Sequence, residues 1–226
     1  MTLDYYIADI RAATRNLHDD GNLDDRLIVR WINTQRALWI KRQIGKEYII
    51  SSNISQTIPC IELKVATASE CNLFKTDSRL LVSTKIPKPI ELNDRLAIID
   101  VRTPELLGYS ITLVDRTDLK YVNNGRFNSM DIYATYFRDR LYLKVPENNF
   151  KAALLTYISY EAVLENPTEA SGYNNCDNSP CFDIDNDNYP LSDALWEYIQ
   201  GQIITNKYEI REQIRDTGEN NESGDS

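Results

Sequence analysis

At 226 residues, 42% hydrophobic and 26% charged, the chain is long enough for one sizeable domain or two small ones and has an ordinary globular composition. Its net charge of -9 argues against general nucleic-acid binding, which needs Lys and Arg to displace counterions from phosphates, although nucleic acid can lie close by without being gripped. No stretch approaches the roughly 20 apolar residues of a membrane helix, so no membrane span is expected.

The charge is unevenly placed. Residues 1–175 hold 22 Lys/Arg against 22 Asp/Glu, whereas residues 176–226 hold 3 against 12. The N-terminus, Met1 to Tyr6, shows no basic region before an apolar core, so no secretory signal is read there. Four cysteines (Cys60, Cys71, Cys176, Cys181) are too few for a disulfide scaffold of this size, and reduced thiols are expected of a cytoplasmic product. Fourteen tyrosines suit protein–protein surfaces and strands equally.

The first segment reads as a helical hairpin. Leu3, Ile7, Ile10, Thr14 and Leu17 lie at helical spacing, and His18-Asp19-Asp20-Gly21 breaks the pattern. Asn22 is the expected cap of a second helix, with Asp24 and Asp25 in its first turn, where the dipole favours negative charge. Leu27, Ile28, Trp31, Gln35, Leu38, Trp39 and Arg42 trace its expected packing face, the two tryptophans anchor it, and Gly45 supplies the stop. Arg26, Arg30, Arg36, Lys41 and Arg42 share this helix, yet the acid-rich connection and the tryptophans favour a solvated basic face, or one meeting acidic neighbours, over DNA reading.

From Glu47 to about Pro167 the chain reads as β-rich. Ile58–Val65, Arg79–Thr84, Leu96–Val101 and Tyr109–Val114 are strand candidates, and Lys85-Ile86-Pro87-Lys88-Pro89-Ile90 can be neither helix nor central strand. Asn123-Asn124-Gly125 fits a type I′ turn, and Ile132–Phe137 with Leu141–Val145 forms another hairpin across Arg138-Asp139-Arg140. Ala152–Leu164 suits a helix or a buried strand; Tyr157, Ile158 and Tyr160 favour the strand, ended by Asn166-Pro167. A final helix is expected from Leu191 to Ile214, with Leu191, Leu195, Ile199 and Ile203 in one stripe continued by Ile210 and Ile214. At 1.5 Å per residue it spans about 35 Å, more than a compact β domain needs. Gly201 in its interior suggests a bend or a close backbone contact. After Thr217 no apolar residue remains, and such a tail does not fold alone.

The expected class is therefore α+β: an N-terminal helical hairpin (1–46), a central antiparallel β-rich body with an acidic Cys/Asp loop (47–188), and a long C-terminal helix with an extended polar tail (189–226), in one structural unit. Its chemistry is sparse. His18, the only histidine, sits in an acidic loop with no serine or cysteine in a recognisable elbow, and no phosphate-cradling loop occurs, so no enzyme is expected. Cys176 and Cys181, with Cys60 and Cys71, are conceivable zinc ligands, but their spacing is looser than structural zinc uses. Asp183-x-Asp185-x-Asp187 opens like a calcium loop, yet Asn188 replaces the turn glycine and Ala194 stands where the bidentate glutamate belongs. The competing account places these acids ahead of a helix N-terminus. No cofactor is expected, with calcium the one metal worth testing.

Several separated pieces also look familiar together: the N-terminal helical pair, Leu80–Ile90 ending Lys85-Ile86-Pro87-Lys88-Pro89-Ile90, Arg140-Leu141-Tyr142-Leu143 leading to Glu165-Asn166-Pro167, and the Cys/Asp loop with Tyr189-Pro190-Leu191 ahead of a final helix and polar tail. In this order they resemble the head-to-tail connector (adaptor or ring) proteins of short-tailed, crAss-like bacteriophages. The resemblance implies a non-enzymatic virion protein, assembled in the bacterial host cytoplasm. Twelve copies would form a ring below the portal that extends the DNA channel and links capsid to tail. The implied partners are other copies of itself, the portal protein and neighbouring tail or ring proteins, while genomic DNA passes through without sequence-specific binding and no membrane is involved. Leu191, Leu195, Trp196, Ile199, Ile203, Tyr208, Ile210 and Ile214 are the expected partner-binding residues, on the premise that the helix outruns its own domain. The alternatives are another tail-hub or stopper ring component, or a calcium-dependent binding module.

Overall fold

The structure, a computed structural model, describes residues 1–15, 24–44, 52–74, 80–93, 95–104, 110–122, 131–146 and 155–205. The chain forms two compact units. The first is discontinuous, made of Met1–Ile54 and Ile184–Ser226, and the second is the uninterrupted Ser55–Asp183. The terminal helix does not stand apart, because its apolar stripe and that of the N-terminal helices cover one another.

In the first unit, α1 (Leu3–Arg15) and α2 (Asp25–Ile44) are the two expected helices. Asp24 caps α2: its carbonyl accepts from the Leu27 and Ile28 amides at 3.0 and 3.2 Å, and its carboxylate accepts from the Arg26 amide at 3.0 Å. The proposed cap Asn22, the stop Gly45 and the loop histidine His18 lie outside the described residues. The packing face of α2 is rotated from the expected one. Ile28, Ile32, Arg36 and Ile40 are buried in i, i+4 succession, whereas Leu27 and Leu38 are exposed and Trp31 and Trp39 are half-buried. A third helix of this unit, α4, covers residues 193–205.

Among its described residues the second unit is built on seven strands: β1 (Gln56–Val65), β2 (Leu80–Ser83), β3 (Ile98–Arg102), β4 (Thr112–Leu113), β5 (Tyr133–Phe137), β6 (Arg140–Lys144) and β7 (Tyr157–Ala162), with the short helix α3 (Ala68–Phe74) between β1 and β2. Their order in the sheet is β3-β7-β1-β2-β6-β5-β4. All pairs are antiparallel except β4 with β5, a correction to the all-antiparallel expectation. The two ends of the sheet approach one another: Arg102 of β3 bridges Ser110, and the Ile111 amide donates to the Val101 carbonyl at 2.7 Å just before β4 begins. The sheet is thus nearly closed, which leaves little edge to pair with stray strands.

The sequence explains the local details. Pro59, which has no amide hydrogen, sits where the β1–β7 register shifts between Ile58 and Ile61, at a bulge that tolerates the missing donor. Arg138 and Asp139 take φ of 51° and 58° in a two-residue turn between β5 and β6, the sign at both positions that a type I′ hairpin demands. Neither is glycine, and their strained backbone is held by bonds to the Asp139 carboxylate from Tyr136 (3.0 Å) and to its carbonyl from the Ile86 amide (2.8 Å). The Pro87/Pro89 segment runs extended beside the continuation of β7, where Pro89 bridges Leu164 and the Ile90 amide reaches the Val163 carbonyl at 2.9 Å. Thr67 and Glu70 close a reciprocal cap on α3, with the Thr67 amide donating to the Glu70 carboxylate at 2.8 Å and the Glu70 amide to the Thr67 hydroxyl at 3.4 Å. Phe74, Leu80, Val82, Leu119 and Tyr142 form one buried cluster. The turn Asn123-Asn124-Gly125 lies outside the described residues.

The cysteines correct a further expectation. Cys60 and Cys176 form a disulfide, their Cα atoms 5.2 Å apart, which fastens the loop that begins after the 3-10 helix Pro167–Gly172 to the bulged strand β1. Cys71 and Cys181 are free. Two of the four conceivable zinc ligands are thus joined to one another.

Candidate functional site

The candidate surface was the terminal helix, and the structure turns the apolar side of its described part into the first unit, leaving Asp193, Ala194, Glu197 and Gly201 exposed. Leu191, Leu195, Trp196, Ile199 and Ile203 are all buried, Leu195 and Ile199 completely so. Their cover comes from the same copy. Tyr6 of α1 packs on Trp196 with ring centroids 4.4 Å apart. The Trp196 indole N–H and the Gln200 amide both donate to the Asp9 carboxylate, at 3.0 and 2.9 Å. Further along, the Arg42 guanidinium of α2 donates to the Tyr198 hydroxyl at 3.2 Å. Each fully buried Leu or Ile contributes about 1.5–3 kcal/mol, so this stripe is a principal support of the unit. As folded in one copy these five side chains are each more than nine-tenths buried. Tyr208, Ile210 and Ile214 lie outside the described residues.

Arg36 is the feature that periodicity missed. It occupies a step in an isoleucine ladder, fully buried, where an aliphatic residue is ordinary. Its Nε donates to the Pro190 carbonyl at 2.9 Å and an Nη to the Ile54 carbonyl at 2.8 Å. Those two carbonyls mark where the chain leaves the first unit and where it has returned to it, so one planar guanidinium ties both crossings to α2. Burial pulls its pKa down to about 10, opposed by the nearby Tyr189, and it stays charged at neutral pH. Tyr189 is itself buried, which pushes its hydroxyl upward, and that hydroxyl donates to the Asn33 side chain. The N-terminus joins the same seam: the Met1 ammonium donates to Asn188 at 2.7 Å and the Tyr189 amide to the Met1 carbonyl at 2.9 Å. An arginine at i+4 from Ile32 and i−4 from Ile40 was the available signal. Its burial also removes it from any basic face that could read DNA.

Asp183, Asp185 and Asp187 lie in a turn-rich segment ahead of α4, and among the described residues no three His, Cys, Asp or Glu side chains converge as a metal site. The exposed side of α2 instead carries Leu27, Arg30 and Leu38, with Lys41 half-buried beside them. No helix among the described residues is long and apolar enough to cross a membrane.

A helical unit clasped by its own terminal helix, joined to a nearly closed sheet, defines an α+β scaffold. Among known families, the model of one described as phage tail ring protein 2 matches residues 6–226. The chain belongs to that family, the ring proteins of crAss-like phages, and is a structural component of the virion. No curated protein matches it.

Proposed function

We propose that the chain forms a twelve-membered ring in the head-to-tail connector, directly below the portal, where it prolongs the DNA channel and joins capsid to tail. The observation that carries this reading is the family match across residues 6–226. The role is architectural, needs neither catalysis nor a cofactor, and is fulfilled after assembly in the host cytoplasm. The excess of 12 acids over 3 bases in residues 176–226 suits a wall past which phosphates must slide. Contact with the portal or with other copies falls to Tyr208, Ile210, Ile214 and the polar residues beyond, because the stripe up to Ile203 is occupied within one copy. The residues after Thr217 carry no apolar side chain, a composition that suits multivalent assembly over independent folding.

Negative-stain images of the purified protein mixed with its cognate portal test the reading. Twelve-fold density on the tail-facing side of the portal is expected. Co-purification with distal tail components and not with the portal assigns the chain to a hub or stopper ring instead. In the phage, deletion of residues 206–226 is expected to yield filled heads without tails; normal tailed particles would reject the assignment.

A further inference from the structure

Helix α2 is apolar on two sides. Ile28, Ile32 and Ile40 face the core of the first unit, while Leu27 and Leu38, at 38% and 43% exposure, lie on the opposite side with half-buried Trp31 between them. A helix with a single partner presents a single apolar stripe and a polar reverse. The reverse of α2 is also basic. Arg26 and Arg30 are exposed and Lys41 is half-buried, while Arg42 turns to the Tyr198 hydroxyl of α4; Asp25 is the one acid of the helix and is paired with Arg11. What covers such a face must be apolar and acidic together.

Residues 206–226 of this chain have that chemistry. Tyr208, Ile210 and Ile214 supply apolar groups, and six acids (Glu209, Glu212, Asp216, Glu219, Glu222, Asp225) outnumber three bases (Lys207, Arg211, Arg215), the bases all before Asp216 and four of the acids from there on. Helix α4 is described to residue 205, and the 21 residues that follow can span up to roughly 70 Å of extended chain, enough to reach another copy. A closed ring of identical chains is held by a head-to-tail interface, in which each copy offers two different and complementary surfaces. We propose that residues 206–226 of one copy dock on the Leu27/Leu38 face of α2 of the next, with Arg30 and Lys41 meeting the acidic end. This rests on the ring reading and names the neighbour that the segment grips.

The test uses full-length chains. In one variant the segment is disabled by Tyr208→Ser, Ile210→Ser and Ile214→Ser. In the other the face is disabled by Leu27→Glu and Leu38→Glu, exposed positions whose effect on the fold is checked by thermal melting. A labelled peptide of residues 206–226, titrated on the segment variant, is expected to bind saturably. Binding should weaken at least about tenfold when the face substitutions are added, and again when salt rises from about 50 to 500 mM, because exposed charge pairs are screened. Absence of binding, or binding indifferent to the face substitutions, overturns the proposal. Sedimentation of the two variants mixed is expected to give a one-to-one complex, since together they retain one intact junction. Peptide binding without that complex places the docking within a single copy and overturns the neighbour assignment. Rings on the portal formed as readily by the face variant sink the docking proposal and leave the ring reading intact. A wild-type chain that binds the peptide yet never rings the portal sinks the ring reading alone.

Discussion

Replacing Arg36 by methionine removes the one group that reaches both the Ile54 and Pro190 carbonyls, at 2.8 and 2.9 Å. Methionine fills much of the volume and relieves the desolvated charge, but it leaves two buried acceptors without those donors. An unsatisfied buried group costs about 1–3 kcal/mol, so the expected loss, after the gain from removing a buried charge, is about 2–5 kcal/mol. That is a large share of a typical 5–15 kcal/mol total. Lysine carries a single ammonium in place of the planar fork and is expected to recover about half the loss. Urea unfolding followed by tryptophan fluorescence is the assay of choice, because Trp31, Trp39 and Trp196 are the chain's 3 tryptophans and all belong to the first unit. With a slope of about 1.5 kcal/mol per M, a loss near 3 kcal/mol moves the midpoint down by about 2 M. Arg30→Met, on the exposed side of the same helix, should stay within about 0.5 kcal/mol of wild type. A midpoint for Arg36→Met within about 0.3 M of wild type would refute the idea that this side chain secures the two crossings.

Other expectations follow from single features. Under non-reducing denaturation only Cys71 and Cys181 should alkylate, and Cys60→Ser should lower the stability of the second unit by about 2–4 kcal/mol, as loss of a long cross-link predicts; four reactive thiols would contradict the pairing. Tyr160→Phe removes a fully buried hydroxyl that has no hydrogen-bond partner among the described residues, so the melting midpoint should hold or rise, and a fall worth more than about 1 kcal/mol would reveal a partner. Gly201→Ala should stabilise α4 by about 1 kcal/mol, since a Cβ there meets nothing within 4 Å. A drop in melting temperature would restore the close contact that the sequence had suggested. The Glu70 carboxyl is held below its ordinary range chiefly by the Thr67 amide, so its stabilisation is present above the usual carboxylate pKa and fades as pH falls through the depressed folded value. The stability difference between wild type and Glu70→Gln should therefore shrink as pH is lowered from about 6 to 3, and a constant difference would count against the cap.

The β elements were readable because their signals are local. Ile58–Val65, Leu80–Ser83 and the Arg138-Asp139 hairpin each combine β-branched or aromatic runs with a turn or breaker beside them, and Tyr157–Ala162 resolved as a strand for the same reason. The face of α2 was misplaced because Arg36 interrupts the Ile28–Ile32–Ile40 ladder, and a charged residue normally marks the solvent side. The disulfide was unreadable in principle: Cys60 and Cys176 are 116 residues apart, and only the assembled sheet brings the loop to the bulge. Periodicity likewise gave the apolar side of the terminal helix correctly, but it reports which side is apolar and not which surface covers it. Here the cover is Tyr6 and its neighbours on α1, nearly two hundred residues earlier.

That discontinuity bears on how the protein is made. On the ribosome, α1 and α2 emerge roughly 150 residues before α4, a delay on the order of ten to thirty seconds at ordinary elongation rates. Throughout that interval the isoleucine ladder has no lid and Arg36 lacks the Pro190 acceptor, whereas the uninterrupted sheet has all its strands once β7 is made, about 30 residues before α4. Synthesis therefore finishes the inserted half first and seals the outer half last, with Leu195, Ile199 and Ile203 as the closing latch.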